Sequence, residues 1–260
     1  MTSENTAALV RAEDLTMAYG DKLIQRDLNF DIRAGEVFVI VGGSGCGKST
    51  LLRHLVGLQA PAKGRVLYGE HDLYASDEAT QAQLRRGFGV TFQAGALWSS
   101  MTVGENVMLP LEMFTPMPAA QREHEARFKL ALVGLADSFD LEPSALSGGM
   151  RKRAAIARAL ALDPALLFLD EPSAGLDPLT SAHLDELLLH LRDDLGTTVV
   201  MVSHELESID AVADRVLFLD AETKTMTALG PPQELREHGP EGVRQFLSRG
   251  TAKAPEVEPA

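Results

Sequence analysis

A glycine-rich segment offers the clearest chemistry in the sequence. Residues 42–49 read GGSGCGKS and satisfy the pattern G-x-x-x-x-G-K-[ST]. Glycines let successive backbone N–H groups turn toward one centre, and the N-terminus of a following helix adds partial positive charge, so the loop can hold phosphate oxygens. Lys48 is expected to reach β- and γ-phosphates, and the Ser49 hydroxyl to coordinate Mg²⁺. The predicted phosphate-binding residues are Gly42, Gly43, Ser44, Gly45, Cys46, Gly47, Lys48, Ser49 and Thr50.

An acidic pair follows a second apolar run. Residues 166–169 read LLFL and are followed by Asp170 and Glu171. Asp170 is placed to hold Mg²⁺ through water, and Glu171 to orient and polarise an attacking water. An acidic pair at a strand end is weak evidence alone, since many strands end in a solvated Asp. Beside the phosphate loop, the pair becomes strong evidence for these two roles.

Alternating apolar runs and helical patterns must position these residues. The run at 36–41 predicts a buried strand, and the residues after the loop are apolar on one helical face. A second unit has a strand at 166–169, a helix that Asp177 caps and Gly196 stops, and a strand at 197–202. This βαβ unit predicts an α/β protein with a mainly parallel sheet.

The rest of the chain divides into three parts. Between about residues 94 and 162 the strand signal fades, which predicts a helical subdomain inserted in the α/β core, with its helices broken by Pro110, Pro116 and Pro118. Further on, 216–219 predicts a strand, 224–229 its hairpin partner and 233–247 two short helices. The tail at 251–260 is rich in Ala, Pro and Glu and is predicted to be disordered, as are the first few residues.

Composition excludes several classes of protein. The 260 residues include 24 Lys and Arg against 37 Asp and Glu, a net charge of −13, which argues against nucleic-acid binding through a basic surface. No apolar stretch has the roughly 18–20 residues of a membrane helix and the N-terminus lacks signal-peptide features, so we expect a cytoplasmic chain. The single cysteine, Cys46, excludes an internal disulfide and has no zinc-site pattern around it.

A third motif, LSGGM at 146–150, precedes a predicted helix at 151–162. Taken alone, Ser147 is equally interpreted as a helix N-cap after a glycine turn. The order of motifs nevertheless resembles the nucleotide-binding subunit of ABC transporters from about Leu15 to about Leu247. The motifs are the phosphate loop, Gln93, LSGG, Asp170-Glu171, Asp177 and His204.

The resemblance implies an α/β fold: an ABC-type P-loop NTPase with a RecA-like core, an antiparallel β subdomain and an inserted helical subdomain at about 94–162. One ABC ATPase domain would span 9–250, with short C-terminal helices at about 231–249 and a disordered tail at 251–260. It also implies ATP and Mg²⁺ as ligands, and a second copy of the chain as partner, so that two chains sandwich each ATP.

Individual roles also come from the resemblance. Tyr19 matches the aromatic residue that stacks on adenine, with a packing role at a sheet edge as the alternative. Gln93 matches the residue that touches Mg²⁺ and the attacking water and senses the membrane partner. Asp177 matches an acid at the dimer interface. His204 matches the histidine that contacts the γ-phosphate, and otherwise is a solvated loop residue.

Two sets of roles complete the implied site. The signature residues bind the γ-phosphate held by the other subunit, and they are Ser147, Gly148 and Gly149. The catalytic set is Glu171, His204 and Gln93, and the metal set is Ser49, Gln93 and Asp170.

The segments at 91–98 and 101–107 are similar to ATPases of MCE-type (Mla-like) lipid transporters, as is LSGGM followed by basic residues. Met150 stands where the signature usually has Gln, and Trp98 where that group usually has Phe. Ordinary helical packing is the alternative interpretation of residues 95–98. The resemblance implies transport of a phospholipid, or another hydrophobic molecule, between the inner membrane and the periplasm or outer membrane.

The implied partners are integral-membrane permease subunits, an MCE-domain protein and a small accessory regulator, with no nucleic acid. The chain would lie peripherally on the cytoplasmic face of the inner membrane. Two alternatives stay open. An ABC importer or exporter of a small solute would share every ATP-binding residue, and so would a non-transport ABC ATPase. Co-purification with a multi-spanning permease would separate the transporter interpretations from the last one.

Overall fold

The computed structural model describes residues 8–93 and 95–248, and the two ends predicted to be disordered lie outside these ranges. Within them the chain forms ten strands and nine α-helices. The strands are β1 (Ala8–Tyr19), β2 (Lys22–Arg33), β3 (Val37–Gly42), β4 (Lys63–Tyr68), β5 (His71–Asp72), β6 (Phe88–Thr91), β7 (Leu166–Asp170), β8 (Thr198–Val202), β9 (Arg215–Asp220) and β10 (Thr225–Gly230). The helices are α1 (Lys48–Leu55), α2 (Glu78–Arg86), α3 (Val103–Phe114), α4 (Ala119–Leu132), α5 (Gly148–Ala159), α6 (Pro178–Asp193), α7 (Leu206–Val212), α8 (Pro232–His238) and α9 (Glu241–Ser248).

The central sheet has the strand order β10-β9-β3-β8-β7-β6. Its strands from β9 to β6 pair in parallel, and β10 joins β9 as an antiparallel hairpin. Every residue of β3, β7 and β8 is buried, as expected for strands covered on both faces. The predicted α/β class with a mainly parallel sheet is confirmed. Because the strands are parallel, the ends of β3, β7 and β8 meet at one edge of the sheet.

The second sheet is antiparallel, with the order β2-β1-β4-β5. It packs on the central sheet through a shared apolar cluster, in which the rings of Phe30 and Phe38 stack with their centroids 5.8 Å apart. Three buried leucines of α1, Leu51, Leu52 and Leu55, belong to the same cluster. The implied antiparallel β subdomain is confirmed, and it holds the helix that follows the phosphate loop.

Helices α3, α4 and α5 lie between β6 and β7 in the chain. The α3 helix begins only at Val103, where Thr102 and Glu105 form a reciprocal capping box. The expectation that Pro110 breaks the helix is wrong, because Pro110 lies inside α3. Val107 and Leu111, on either side of it, are buried in the core, so packing compensates for the one backbone hydrogen bond that proline removes.

The last turn of α1 contains a fully buried histidine, His54. Its Nδ1 lies 2.6 Å from the carbonyl oxygen of Gln59. Burial lowers the pKa of His54, because the charged ring would lose its hydration. As pH falls through the ordinary histidine pKa of about 6.5, the unfolded chain takes up a proton that the folded protein does not. The free energy of unfolding therefore decreases as pH falls below that value.

We expect the free energy of unfolding, measured by urea denaturation, to decrease from about pH 7 to about pH 5, and to decrease less in a His54→Asn variant. Asparagine is still able to donate toward Gln59 but does not titrate in this range. The comparison concerns the pH dependence, since the variant is also expected to be less stable at every pH. Identical pH dependence in the two proteins would show that His54 does not contribute.

Candidate active site

The phosphate loop connects β3 to α1 at the edge of the central sheet. The backbone conformation and close packing at two of its positions require glycine. Gly42 has φ +147°, and a Cβ there would lie 2.3 Å from the carbonyl oxygen of Leu219. Gly47 has φ +103°, and a Cβ there would lie 2.6 Å from Cγ2 of Ile24. Any side chain at these positions would displace the loop from the sheets below it.

The loop leaves donors available for an anion. The Lys48 Nζ donates to the carbonyl oxygens of Gly42 and Gly43, at 3.0 and 3.2 Å, so the ammonium group lies across the loop. No side chain caps α1, and its first turn has no acidic residue. The first N–H groups of a helix have no partner within the helix and carry partial positive charge. This arrangement suits phosphate oxygens.

Ser49 and Asp170 meet at the ends of the loop and of β7. The Ser49 hydroxyl donates to Oδ1 of Asp170 at 2.9 Å. Asp170 is nine-tenths buried, and burial raises its pKa. A hydroxyl and a carboxylate are oxygen donors of the kind that Mg²⁺ takes, usually with water and substrate phosphates completing the shell. The donor set therefore fits a magnesium ion bound together with a nucleotide.

Glu171 lies at the centre of a second group. Its Oε2 accepts from Nε2 of Gln93 at 3.1 Å, and its Oε1 lies 3.3 Å from Nδ1 of His204. The backbone of Glu171 has φ +49°, a left-handed conformation that strains a residue other than glycine. The structure thus brings together the three residues predicted to be catalytic, next to the Ser49–Asp170 pair.

Lys152 contacts the turn that carries Glu171, and no sequence motif indicates this contact. Its Nζ donates to the carbonyl oxygens of Ala174, at 2.6 Å, and of Glu171, at 3.2 Å, and burial lowers its pKa. It therefore ties α5 to the turn that carries Glu171. The basic residues after LSGGM were the only signal, and they do not show which of them turns inward.

The signature residues begin α5. The Ser147 hydroxyl accepts from the N–H of Met150 at 3.2 Å, so Ser147 caps the helix as the structural alternative expected. Gly149 packs on α6, where an added Cβ would lie 2.5 Å from Cγ2 of Thr180. Ser147 and Gly148 are exposed. Because these two residues are exposed, the start of α5 is accessible to a partner chain.

The two remaining candidates, Tyr19 and Asp177, lie on different elements, β1 and the start of α6. Tyr19 ends β1 with 46% of its surface exposed, and a hydrogen bond from the Thr50 side chain lowers its pKa. Its ring therefore stands beside the first turn of α1. Asp177 is exposed and caps α6, with Oδ1 accepting from the N–H of Thr180 at 3.1 Å.

The fold and this constellation define a P-loop protein that hydrolyses a nucleotide. The family model described as ABC transporter matches residues 25–174. The chain belongs to the ABC transporter family and is an ATP-hydrolysing subunit of that family.

Similarity to individual relatives extends over nearly the whole chain. The chain is 37% identical over 252 residues to the intermembrane phospholipid transport system ATP-binding protein MlaF of Escherichia coli (strain K12), covering 97% of this chain and 93% of the relative. It is 37% identical over 239 residues to the probable ribonucleotide transport ATP-binding protein mkl of Mycobacterium leprae, covering 92% and 68%. A dimeric structure of the ATP-binding cassette MJ0796 in a post-hydrolysis state, bound to ADP and Pi, matches with a TM-score of 0.77 and 30% identity, covering 85% of this chain and 98% of that one.

Proposed function

We propose that two copies of this chain close around two MgATP and drive a permease that moves phospholipid between the inner membrane and the periplasm or outer membrane. The observation that carries the proposal is the similarity to MlaF, which covers 97% of this chain. The chain would act as a peripheral subunit on the cytoplasmic side of the membrane. Among the described residues, no helix combines the length and apolar character that a bilayer span requires.

The residues of the site receive roles in this proposal. Lys48 and the first turn of α1 bind the β- and γ-phosphates, and Tyr19 stacks on the adenine. When bound, Mg²⁺ neutralises charge that develops on the phosphates, and the residues that would hold it are Ser49, Asp170 and Gln93. Glu171 orients the attacking water and takes its proton, while Gln93 and His204 fix the position of its carboxylate.

The second copy supplies the rest of the site. Ser147 and Gly148 lie on the exposed start of α5, and their partner would be the γ-phosphate bound by the opposite chain. Asp177, exposed at the start of α6, would lie at the same interface. The dimeric structure of the MJ0796 cassette supports the formation of a homodimer. Closure then depends on ATP, because the new contacts exist only when ATP bridges the two chains.

A groove on the surface of the chain is a candidate binding site for the permease. It has a volume of about 380 Å³ and lies between α2, β6, α3 and α5. Three arginines line it, Arg85, Arg86 and Arg158, together with the ring of Phe114, over which Arg86 lies at 5.2 Å. On a chain with a net charge of −13, this group of cations fits a permease segment with carboxylate and apolar side chains.

The groove adjoins the segment at 95–98 that resembles lipid-transport ATPases. Arg158 donates to the carbonyl oxygens of Gly95 and Ala96. Asn106 accepts from the N–H of Trp98 at 2.7 Å and donates to its carbonyl oxygen at 3.0 Å. Trp98 is 59% exposed, so the backbone holds an aromatic side chain out toward a partner. An MCE-domain protein and a small regulator remain part of the proposal through the sequence resemblance.

Transport of a small solute is the second candidate, and the similarity to mkl favours it. Native mass spectrometry of the tagged chain purified with its permease separates the two. We expect phospholipid bound to the assembled complex. A polar solute in its place would favour the second candidate.

In the same purification, Arg86→Glu is expected to reduce the recovered permease at least about fivefold, because it places a carboxylate in the cationic groove. Lys63→Glu makes the same charge change on the exposed surface of β4 and serves as the matched control. Equal recovery with both variants would show that the permease binds elsewhere.

A further inference from the structure

Gln25, in β2, is a polar side chain buried beneath the phosphate loop. It is fully buried, and its amide nitrogen is shared between two distant parts of the chain. The Nε2 lies 2.7 Å from the carbonyl oxygen of Cys46 and 2.9 Å from that of Asp220. Cys46 belongs to the phosphate loop, and Asp220 ends β9. Both N–H groups of the amide are therefore used to join the loop to the sheets below it.

The bond to Cys46 fixes the direction of the next peptide N–H. The described residues contain no cis peptide bond, so the Cys46–Gly47 peptide is trans and planar. In such a peptide, the N–H of Gly47 points away from the carbonyl oxygen of Cys46. Because that oxygen is directed down at Gln25, the N–H is directed out of the protein interior, toward the side of the loop where phosphate would bind.

The glycine at position 47 explains why the Cys46–Gly47 peptide needs a hydrogen bond to hold its direction. A glycine with φ +103° has no side chain to hold its backbone, and the peptide before it is free to rotate unless another group holds it. The Ile24 side chain packs below Gly47, but an apolar contact does not select the direction of a carbonyl. Within the described structure, Gln25 is the side chain that donates to the Cys46 carbonyl oxygen.

An amide is a costly choice for this position. The Oε1 of Gln25 is buried and has no hydrogen-bond partner among the described residues. A buried polar atom without a partner destabilises the fold, and the apolar cluster around β2 would accept a hydrocarbon side chain of the same size. Packing alone would favour methionine or leucine at this position, so the two donated hydrogen bonds are what the amide contributes.

We infer that Gln25 is a positioning residue of the nucleotide site, which orients the Cys46–Gly47 peptide so that the Gly47 N–H binds a nucleotide phosphate. The inference rests on the proposed nucleotide site and is independent of the transported substrate. The sequence carries no signal for it, because Gln25 stands outside every motif and its two acceptors are distant in the chain.

The test is a Gln25→Met variant, which keeps the volume and removes the donors. We expect the Kd for MgADP, measured by titration calorimetry, to rise about tenfold. The KM for ATP should rise by a similar factor, with kcat within about twofold of wild type. The Tm should change by only about a few degrees, because removal of the unpartnered oxygen offsets part of the cost of leaving the carbonyl oxygens of Cys46 and Asp220 without their donor. A rise of Kd and KM with kcat kept, measured at a temperature at which both proteins are fully folded, distinguishes positioning from a merely structural role.

Thr227→Val is the matched control. The Oγ1 of Thr227, in β10, is also buried and without a partner in the described structure, so this variant likewise removes such an atom, but away from the loop. It should leave the Kd unchanged. Wild-type affinity in Gln25→Met, or a fall of kcat as large as the rise of Kd, would overturn the inference. If Lys48→Ala loses affinity while Gln25→Met does not, the nucleotide site stands and the role of Gln25 falls. If neither loses affinity, the nucleotide site itself is wrong.

Discussion

A Glu171→Gln variant is expected to hydrolyse ATP at least about 100-fold more slowly than wild type while it still binds ATP. Glutamine keeps the size of the side chain and one oxygen that accepts from Gln93, but it has no negative charge with which to polarise water and take a proton. Loss of a general base typically reduces the rate by a factor of about 10²–10⁴. Phosphate release measures the rate, and calorimetry measures the affinity for ATP.

Glu207→Gln is the matched control for this variant. Glu207 is an exposed carboxylate in α7, outside the group around Glu171, and its replacement should leave turnover unchanged. Normal turnover in Glu171→Gln would exclude Glu171 as the group that activates water. Loss of ATP binding together with turnover would indicate that Glu171 supports the structure of the site instead, a possibility that its left-handed backbone makes worth measuring.

The second large effect is expected for Lys48→Ala, which should raise the Kd for ATP by about 10- to 100-fold. A hydrogen bond to a charged group contributes about 1.5–3 kcal/mol, and the Lys48 ammonium lies at the phosphate loop, where it donates to the carbonyl oxygens of Gly42 and Gly43. Titration calorimetry measures this loss. Lys63→Ala, an exposed lysine of β4, should bind ATP as wild type does. Unchanged affinity in Lys48→Ala would contradict the assignment of the phosphate loop.

Features that depend on neighbouring residues could be predicted from the sequence. The glycines and lysine of the phosphate loop, the buried runs of β3, β7 and β8, and the caps at Ser147 and Asp177 each follow from a few adjacent positions. Their order along the chain was enough for the resemblance that indicated the family. The α/β class and the antiparallel second sheet agree with the structure for this reason.

Features that depend on distant contacts could not be predicted. Pro110 stays inside a helix because the residues around it are buried, which local rules do not include. Gln93 and Glu171 are 78 residues apart, and only the pairing of β6 with β7 brings them to one edge. Lys152 and Gln25 act through backbone carbonyls, which have no identity in a sequence. Their roles become visible only when the chain is folded.

The central claim is that two copies of this chain share each bound ATP, with the signature of one facing the phosphate loop of the other. The most direct test is the mass of the Glu171→Gln variant in solution, measured by light scattering with and without MgATP. The variant should be monomeric without nucleotide and dimeric with MgATP, and Ser147→Arg added to it should prevent the dimer. A monomer in MgATP that still binds ATP, or a dimer that forms equally without nucleotide, would contradict the claim.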